Sequence, residues 1–178
     1  MLLPDDVRQR LATEIERLRP HATEVAWVAP ANLHVTVKFL GQVDETGVPA
    51  LVDALRATAA RHAVLDVVVR GLGAFPTPAR ARVLWAGLDG AAGLAPLADA
   101  VDAACGALGV PRETRPFAAH VTLGRVREPR PQPRLAEALA RGGDFGRLRV
   151  ASLSLMRSEL SPRGARYTEL AGLPLAVQ

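Results

Sequence analysis

Apolar residues near the start of the chain recur at Val7, Leu11, Ile15 and Leu18, steps of four, four and three that place them on one face of a helix. Pro4 and Asp5 mark its opening and Pro20 lies just past its end. "EVAWVA" predicts a short strand, and Pro30-Ala31-Asn32 then turns the chain into an alternating segment, "NLHVTVKFLG", that reads as another strand. From Asp44 to about His62 helical spacing returns through Val48, Leu51, Val52 and Leu55. Strands are predicted at about Leu65 to Arg70 and Arg82 to Leu88, with "GLGAFPTPARA" between them read as a loop. Leu94 to Leu108 predicts a further long helix, stopped by Gly109 and Pro111, and "AAHVTLGRV" a strand after it. "REPRPQPR" cannot continue that strand and is expected to arch over the surface. A short helix near Leu135 to Ala140, a strand near Leu148 to Arg157 and a last one near Arg166 to Leu170 complete the reading.

These elements fall into two loosely similar halves. They predict an α/β fold of one domain, residues 1–178, in which strand, helix and strand segments alternate in each half. A chain of 178 residues, 49% apolar and 22% charged, can bury one core and does not resemble a disordered protein. No apolar run approaches the ~18–20 residues of a membrane span. The start, "MLLPDDVRQRL", lacks a basic segment followed by an apolar core, so no export signal is expected. The single cysteine, Cys105, cannot form an internal disulfide; together these features predict a cytoplasmic location. Cys105 lies in an alanine-rich helix with no local histidine to activate it, so it reads as a small buried residue. The net charge of +4 and pI near 10.4 favour a polyanionic partner. Of the 22 basic residues only Lys38 is lysine, in a chain crowded with Ala, Gly, Pro and Leu, so a composition bias explains the arginines as well as nucleic-acid binding does.

The chemistry lies in a repeated phrase. His34-Val35-Thr36 and His120-Val121-Thr122 each sit on a predicted strand in a separate half. Alternation puts His34, Thr36 and Lys38 on one face, with Leu33, Val35, Val37 and Phe39 turned to the core. By the same parity His120, Thr122 and Gly124 share a face. One His-x-Thr alone is a weak signal, since a lone strand histidine is more often an ordinary polar residue. Two copies are harder to explain by packing. His21 and His62, near helix ends without a threonine partner, read as surface or capping residues. Two facing imidazoles suit phosphodiester chemistry, one taking a proton from water and the other giving one to the departing oxygen. The hydroxyls of Thr36 and Thr122 suit non-bridging phosphate oxygens. Lys38 and Arg125 are candidates to add positive charge, although parity sets Arg125 opposite His120 unless a bulge at Gly124 re-aims it. Metal binding is the chemical rival, but neither phrase contains Asp, Glu or Cys, and no Gly-x-Ser-x-Gly turn supports a serine nucleophile. Metal-free acid–base catalysis is the favoured reading.

Carried by both phrases and by "LPDDVRQRL", "WVAPANLHVTVKFLGQVDE", "GLGAFPTPARARVLWAGL", "RPFAAHVTLGRV" and "SELSPRGARYTEL", the chain resembles the 2H phosphoesterase superfamily, and within it the bacterial and archaeal RNA 2′,3′-cyclic phosphodiesterases, also called 2′-5′ RNA ligases. The resemblance implies a bilobal, pseudo-symmetric α/β (α+β) fold, two antiparallel-rich sheets facing a central cleft with helices packed outside, and hydrolysis of a terminal RNA 2′,3′-cyclic phosphate to a 2′-phosphate, with no metal or other cofactor and with 2′-5′ joining as a side or reverse activity. It implies His34 as proton donor and His120 as proton acceptor, with Thr36 and Thr122 binding phosphate. Residue types alone leave open which histidine is which. RNA ends are the expected partner and a monomer the expected state. Phe75, Phe117 and Tyr167 are candidates for base stacking. Two alternatives stay open: a catalytically idle module that holds RNA ends, and a phosphodiesterase of the same chemistry acting on a small cyclic nucleotide. Members of that family open with a strand of the Arg-Leu-Phe-Val-Ala kind, whereas this chain offers Met1-Leu2-Leu3. The expectation is a start further upstream and, without it, an exposed sheet edge.

Overall fold

The structure, a computed structural model, describes residues 1–161 and 164–177. Helix α1, Asp5–Leu18, buries the four residues that its spacing picks out, Val7, Leu11, Ile15 and Leu18. Each full burial of a large aliphatic side chain is worth about 1.5–3 kcal/mol, more than the intrinsic propensity of a short helix supplies. The other helices are α2 (Val48–Ala59), α3 (Leu94–Gly106) and α4 (Pro133–Ala140). The strands are β1 (Val25–Trp27), β2 (Leu65–Phe75), β3 (Val83–Asp89), β4 (His120–Val126), β5 (Asp144–Val150), β6 (Ser152–Ser161) and β7 (Gly164–Pro174).

Strands β1-β4-β3-β2-β5 form an antiparallel sheet, and β6 and β7 form a separate antiparallel hairpin. Val67, Val69, Leu84, Ala86, Val121, Leu123, Leu148 and Val150 turn one face of the larger sheet into the core. Helices α1 and α4 pack there, against β5 and β2. Helix α2 packs on α3 and on the hairpin, whose base buries Leu153, Leu155, Leu173 and Leu175 in the same core. Cys105 on α3 is fully buried, as its apolar setting predicts, and burial pushes its thiol pKa up.

Four elements differ from the sequence expectation. The segment after Asn32 is not a regular strand: only His34 and Val35 make bridges, to Leu2 and Val121. The edge of β4 explains why. Residues 25–27 of β1 occupy it first, Val28 N–H donates to Leu123 C=O at 2.9 Å, and a 3-10 turn at Pro30–Asn32 lifts the chain away before Val35 returns to Val121. The chain then bends at Val37, so the alternation stops and Phe39, expected inside, is 74% exposed. Strand β2 runs on through Gly71–Phe75, where the sequence predicts a loop, because β3 pairs with it as far as Phe75 and Val83. The strand expected over Leu148 to Arg157 is two strands in different sheets, divided at Ala151. At the other end Met1 and Leu3 are buried, and Met1 exchanges hydrogen bonds with Val35, its amino group to the carbonyl at 2.9 Å and its carbonyl from the N–H at 3.0 Å. Met1-Leu2-Leu3 thus covers the far side of the first His-Val-Thr segment.

Candidate active site

The two His-Val-Thr segments lie side by side. Val35 and Val121 are antiparallel bridge partners, 1% and 0% exposed, so both point into the core. Antiparallel register carried one residue either way sets His34 beside Thr122 and Thr36 beside His120, all on the opposite, open face. In a regular antiparallel pair, directly paired Cβ atoms lie about 5 Å apart and diagonal ones about 7–8 Å, so this register groups two imidazoles and two hydroxyls on one face. The valine bridge is a local two-fold axis: rotation about it exchanges the two phrases.

The same short-range device orients both rings. His34 Nδ1 lies 2.7 Å from the carbonyl oxygen of Asn32, and His120 Nδ1 lies 2.7 Å from that of Ala118, in each case the residue two positions earlier. A carbonyl accepts only, so Nδ1 carries the proton and Nε2 presents a lone pair to the open face. At His34 the Thr36 hydroxyl donates to that Nε2 over 3.1 Å. The His34 pKa lies below its ordinary 6.5, chiefly because burial disfavours the imidazolium; the Asn32 carbonyl opposes this and the Met1 amino group adds to it.

Each imidazole has an aromatic neighbour. Tyr167 on β7 meets His34 edge-on with ring centroids 5.2 Å apart, and Phe75 at the end of β2 meets His120 edge-on at 5.1 Å. Phe75 also packs on Trp85, 5.4 Å between centroids, and Trp85 lies across Gly73 on the next strand. The hairpin that carries Tyr167 is tied to the first phrase by the Asn32 side-chain amide, which donates to Ala165 C=O at 2.7 Å. Phe117, the third stacking candidate, packs against the core and makes no ring contact among the described residues.

Arg125 joins the open face through the irregularity that the sequence leaves conditional. Leu84 pairs with Gly124 but Trp85 pairs with Thr122, so Leu123 is an extra residue, a β-bulge. Leu123 and Val126 are buried and Arg125 between them is exposed, on the same side as Thr122. Lys38 requires a correction. Its side chain is 2% exposed, and its ammonium donates to Asp102 at 2.6 Å and to Pro111 C=O at 2.8 Å, so it does not face a phosphate. The bend at Val37 is what turns it inward. Sequence reasoning missed Trp85, Asn32 and Asp102; a tryptophan on the polar face of β3 was the available signal for the first. Among the described residues no three His, Cys, Asp or Glu side chains gather as a metal site, and no helix is long and apolar enough to cross a membrane.

Two facing His-x-Thr phrases on the open face of an antiparallel sheet define a two-histidine phosphoesterase architecture. A family model described as the 2′-5′ RNA ligase superfamily matches residues 4–162, and the chain belongs to that superfamily. It is 32% identical over 170 residues to a protein of Methanothermobacter thermautotrophicus named RNA 2′,3′-cyclic phosphodiesterase, covering 94% of this chain and 92% of that one. A protein of the same name from Aeropyrum pernix is 34% identical over 164 residues, 90% and 92% of the two chains. Among solved structures, TT0787 of Thermus thermophilus superposes with a TM-score of 0.82 at 31% identity, over 99% of this chain and 95% of that one. E. coli LigT complexed with 3′-AMP gives 0.74 at 27% identity, over 98% and 94%.

Proposed function

We propose that this chain is an RNA 2′,3′-cyclic phosphodiesterase, a phosphoric diester hydrolase that opens a terminal cyclic phosphate to a 2′-phosphate, with 2′-5′ joining as a side activity in which an RNA 5′-hydroxyl takes the place of water. The relatives so named support the reaction. The observation that carries the mechanism is the antiparallel Val35–Val121 bridge, which supports a shared site by pairing the two phrases side by side. His120 Nε2 takes a proton from water as the water oxygen bonds to phosphorus. The bond from phosphorus to the 3′ oxygen breaks, and His34 Nε2 gives that oxygen a proton. Thr36 and Thr122 donate to the non-bridging oxygens, where negative charge grows. Burial lowers the His34 pKa in the free protein, and the bound phosphate acts the other way, because an adjacent anion favours the imidazolium that donates the proton. Arg125 meets a phosphate further along the strand, and Phe75 and Tyr167 offer faces to bases.

No step calls for a metal or other cofactor. We read the chain as one domain of two lobes, a monomer working on RNA ends in the cytoplasm. The test is an oligonucleotide with a 2′,3′-cyclic phosphate, incubated in chelator with the unaltered protein, His34→Ala and His120→Ala. The unaltered protein yields a 2′-phosphate and each variant, folded by circular dichroism, loses at least about 100-fold in kcat, within the range a positioned acid or base supplies. Full activity in either variant ends the two-histidine mechanism. Comparing the oligonucleotide with a cyclic mononucleotide separates an RNA enzyme from one for small nucleotides.

A further inference from the structure

Thr36 stands on a stretch that the sheet does not hold. Ladder pairing ends at Val35, and no strand is formed from Thr36 onward until β2. Two residues after Thr36, the sole lysine of the chain enters the interior and fixes this stretch by its tip. Asp102, on α3, accepts from Lys38 Nζ at 2.6 Å and from the Glu113 N–H at 3.1 Å through Oδ1, and its Oδ2 accepts from Arg112 Nε. Lys38 Nζ also donates to Pro111 C=O at 2.8 Å. The carboxylate and the ammonium together therefore bind the segment leaving the first phrase to residues 111–113, which lead into the second.

A buried ion pair is a poor source of stability, since desolvating two charges offsets most of their attraction and apolar replacements are often equally stable. Its distinctive property is directional geometry: the two charge-assisted bonds and the backbone bond restrict where Lys38 can sit. We infer that Asp102, acting through Lys38, is a positioning residue that holds the Thr36 hydroxyl in place for phosphate. It touches neither imidazole. The inference rests on the proposed reaction for its catalytic consequence, while its structural half is measured without any substrate.

The experiment combines a double-mutant cycle with amide exchange. Asp102→Asn is expected to lower kcat/KM on a 2′,3′-cyclic-phosphate oligonucleotide by on the order of 10–100-fold, the effect of misplacing a catalytic group by about 1 Å. In that background Thr36→Val costs little more, whereas Thr122→Val, on the sheet-held phrase, still costs its full factor. Amide exchange over residues 34–38 accelerates at least about tenfold while that of β4 is unchanged. If Asp102→Asn does not fold, the pair Lys38→Met with Asp102→Leu, which leaves no unmatched charge inside, takes its place with the same expectations. Equal losses from Thr36→Val and Thr122→Val, or unaltered exchange over 34–38, overturn the inference. An unaltered protein without turnover overturns the proposed reaction instead, and the exchange result then still decides the anchoring role.

Discussion

Substituting one glycine tests whether the aromatic packing beside His120 is part of the site. A Cβ built on Gly73 lies 2.2, 2.4 and 2.8 Å from Cζ2, Cη2 and Cε2 of Trp85. Ordinary contact begins at 3.4 Å, so the indole has to retreat by roughly 1 Å. The indole packs on Phe75, which in turn packs edge-on against His120. Overpacking of this kind costs about 1–3 kcal/mol. For a chain of this size 1 kcal/mol moves the melting temperature by about 2–4 °C, so Gly73→Ala should melt about 2–12 °C lower. Passed through Phe75 to the imidazole, a shift approaching 1 Å lowers kcat by on the order of 10–100-fold. The assay is a thermal melt beside kcat and KM on a cyclic-phosphate oligonucleotide. Adding Trp85→Phe removes the clashing atoms together with an indole N–H that is buried without a partner among the described residues, so the double variant should regain part of both losses. A Gly73→Ala protein that melts and turns over like the original refutes the argument, and a melting loss with kcat unchanged refutes its catalytic half.

Three further outcomes follow from groups already described. NMR titration of His34 should give a pKa below 6.5 that rises on Tyr167→Ala, which opens one side of the ring. The unfolded chain binds this proton at higher pH than the folded one, so the contribution of His34 to stability is complete above about pH 6.5 and declines as pH falls below it; melting temperature against pH, with and without His34→Gln, reads this. The carboxyl of Asp102 is held at about 2 by Lys38 first and by Glu113 N–H and Arg112 besides, with burial opposing them. Its contribution is therefore present above the unfolded value of about 3.9 and lost as pH falls towards 2, a slope that acid unfolding should show and Asp102→Asn should flatten. Arg125→Ala should raise KM for an oligonucleotide about tenfold or more at low salt with kcat nearly held, as loss of one charge-assisted contact to a phosphate requires.

Much of this was legible in the letters, for reasons that differ by element. Helix α1 follows from four apolar positions because a helix on a sheet has one buried face and the sequence marks it. That His34 shares a face with Thr36, and His120 with Thr122, follows from parity, and repetition singles the two phrases out; their pairing is added by the Val35–Val121 bridge. Parity fails where the backbone stops being regular, at the bend of Val37 and the bulge at Leu123, and there Lys38 turns inward and Arg125 outward. Pattern reasoning sees periods, and a one-residue irregularity has none. The break at Ala151 escaped for a related reason: the apolar alternation runs from β5 into β6 almost unbroken, while the two ladders belong to different partners. The Lys38–Asp102 pair joins distant segments through a bond that no local pattern records.

Rotation about the Val35–Val121 bridge turns one phrase into the other, so the motif by itself is chemically palindromic: nothing within it distinguishes donor from acceptor, or hydrolysis from joining. Whatever breaks that degeneracy lies outside the six letters. Tyr167 and the hairpin crowd one imidazole, while Phe75 on its tryptophan flanks the other. Under the proposed reaction, the difference between the two imidazoles has to come from such surroundings, of which the aromatic flanks are one part and the burial of His34 another.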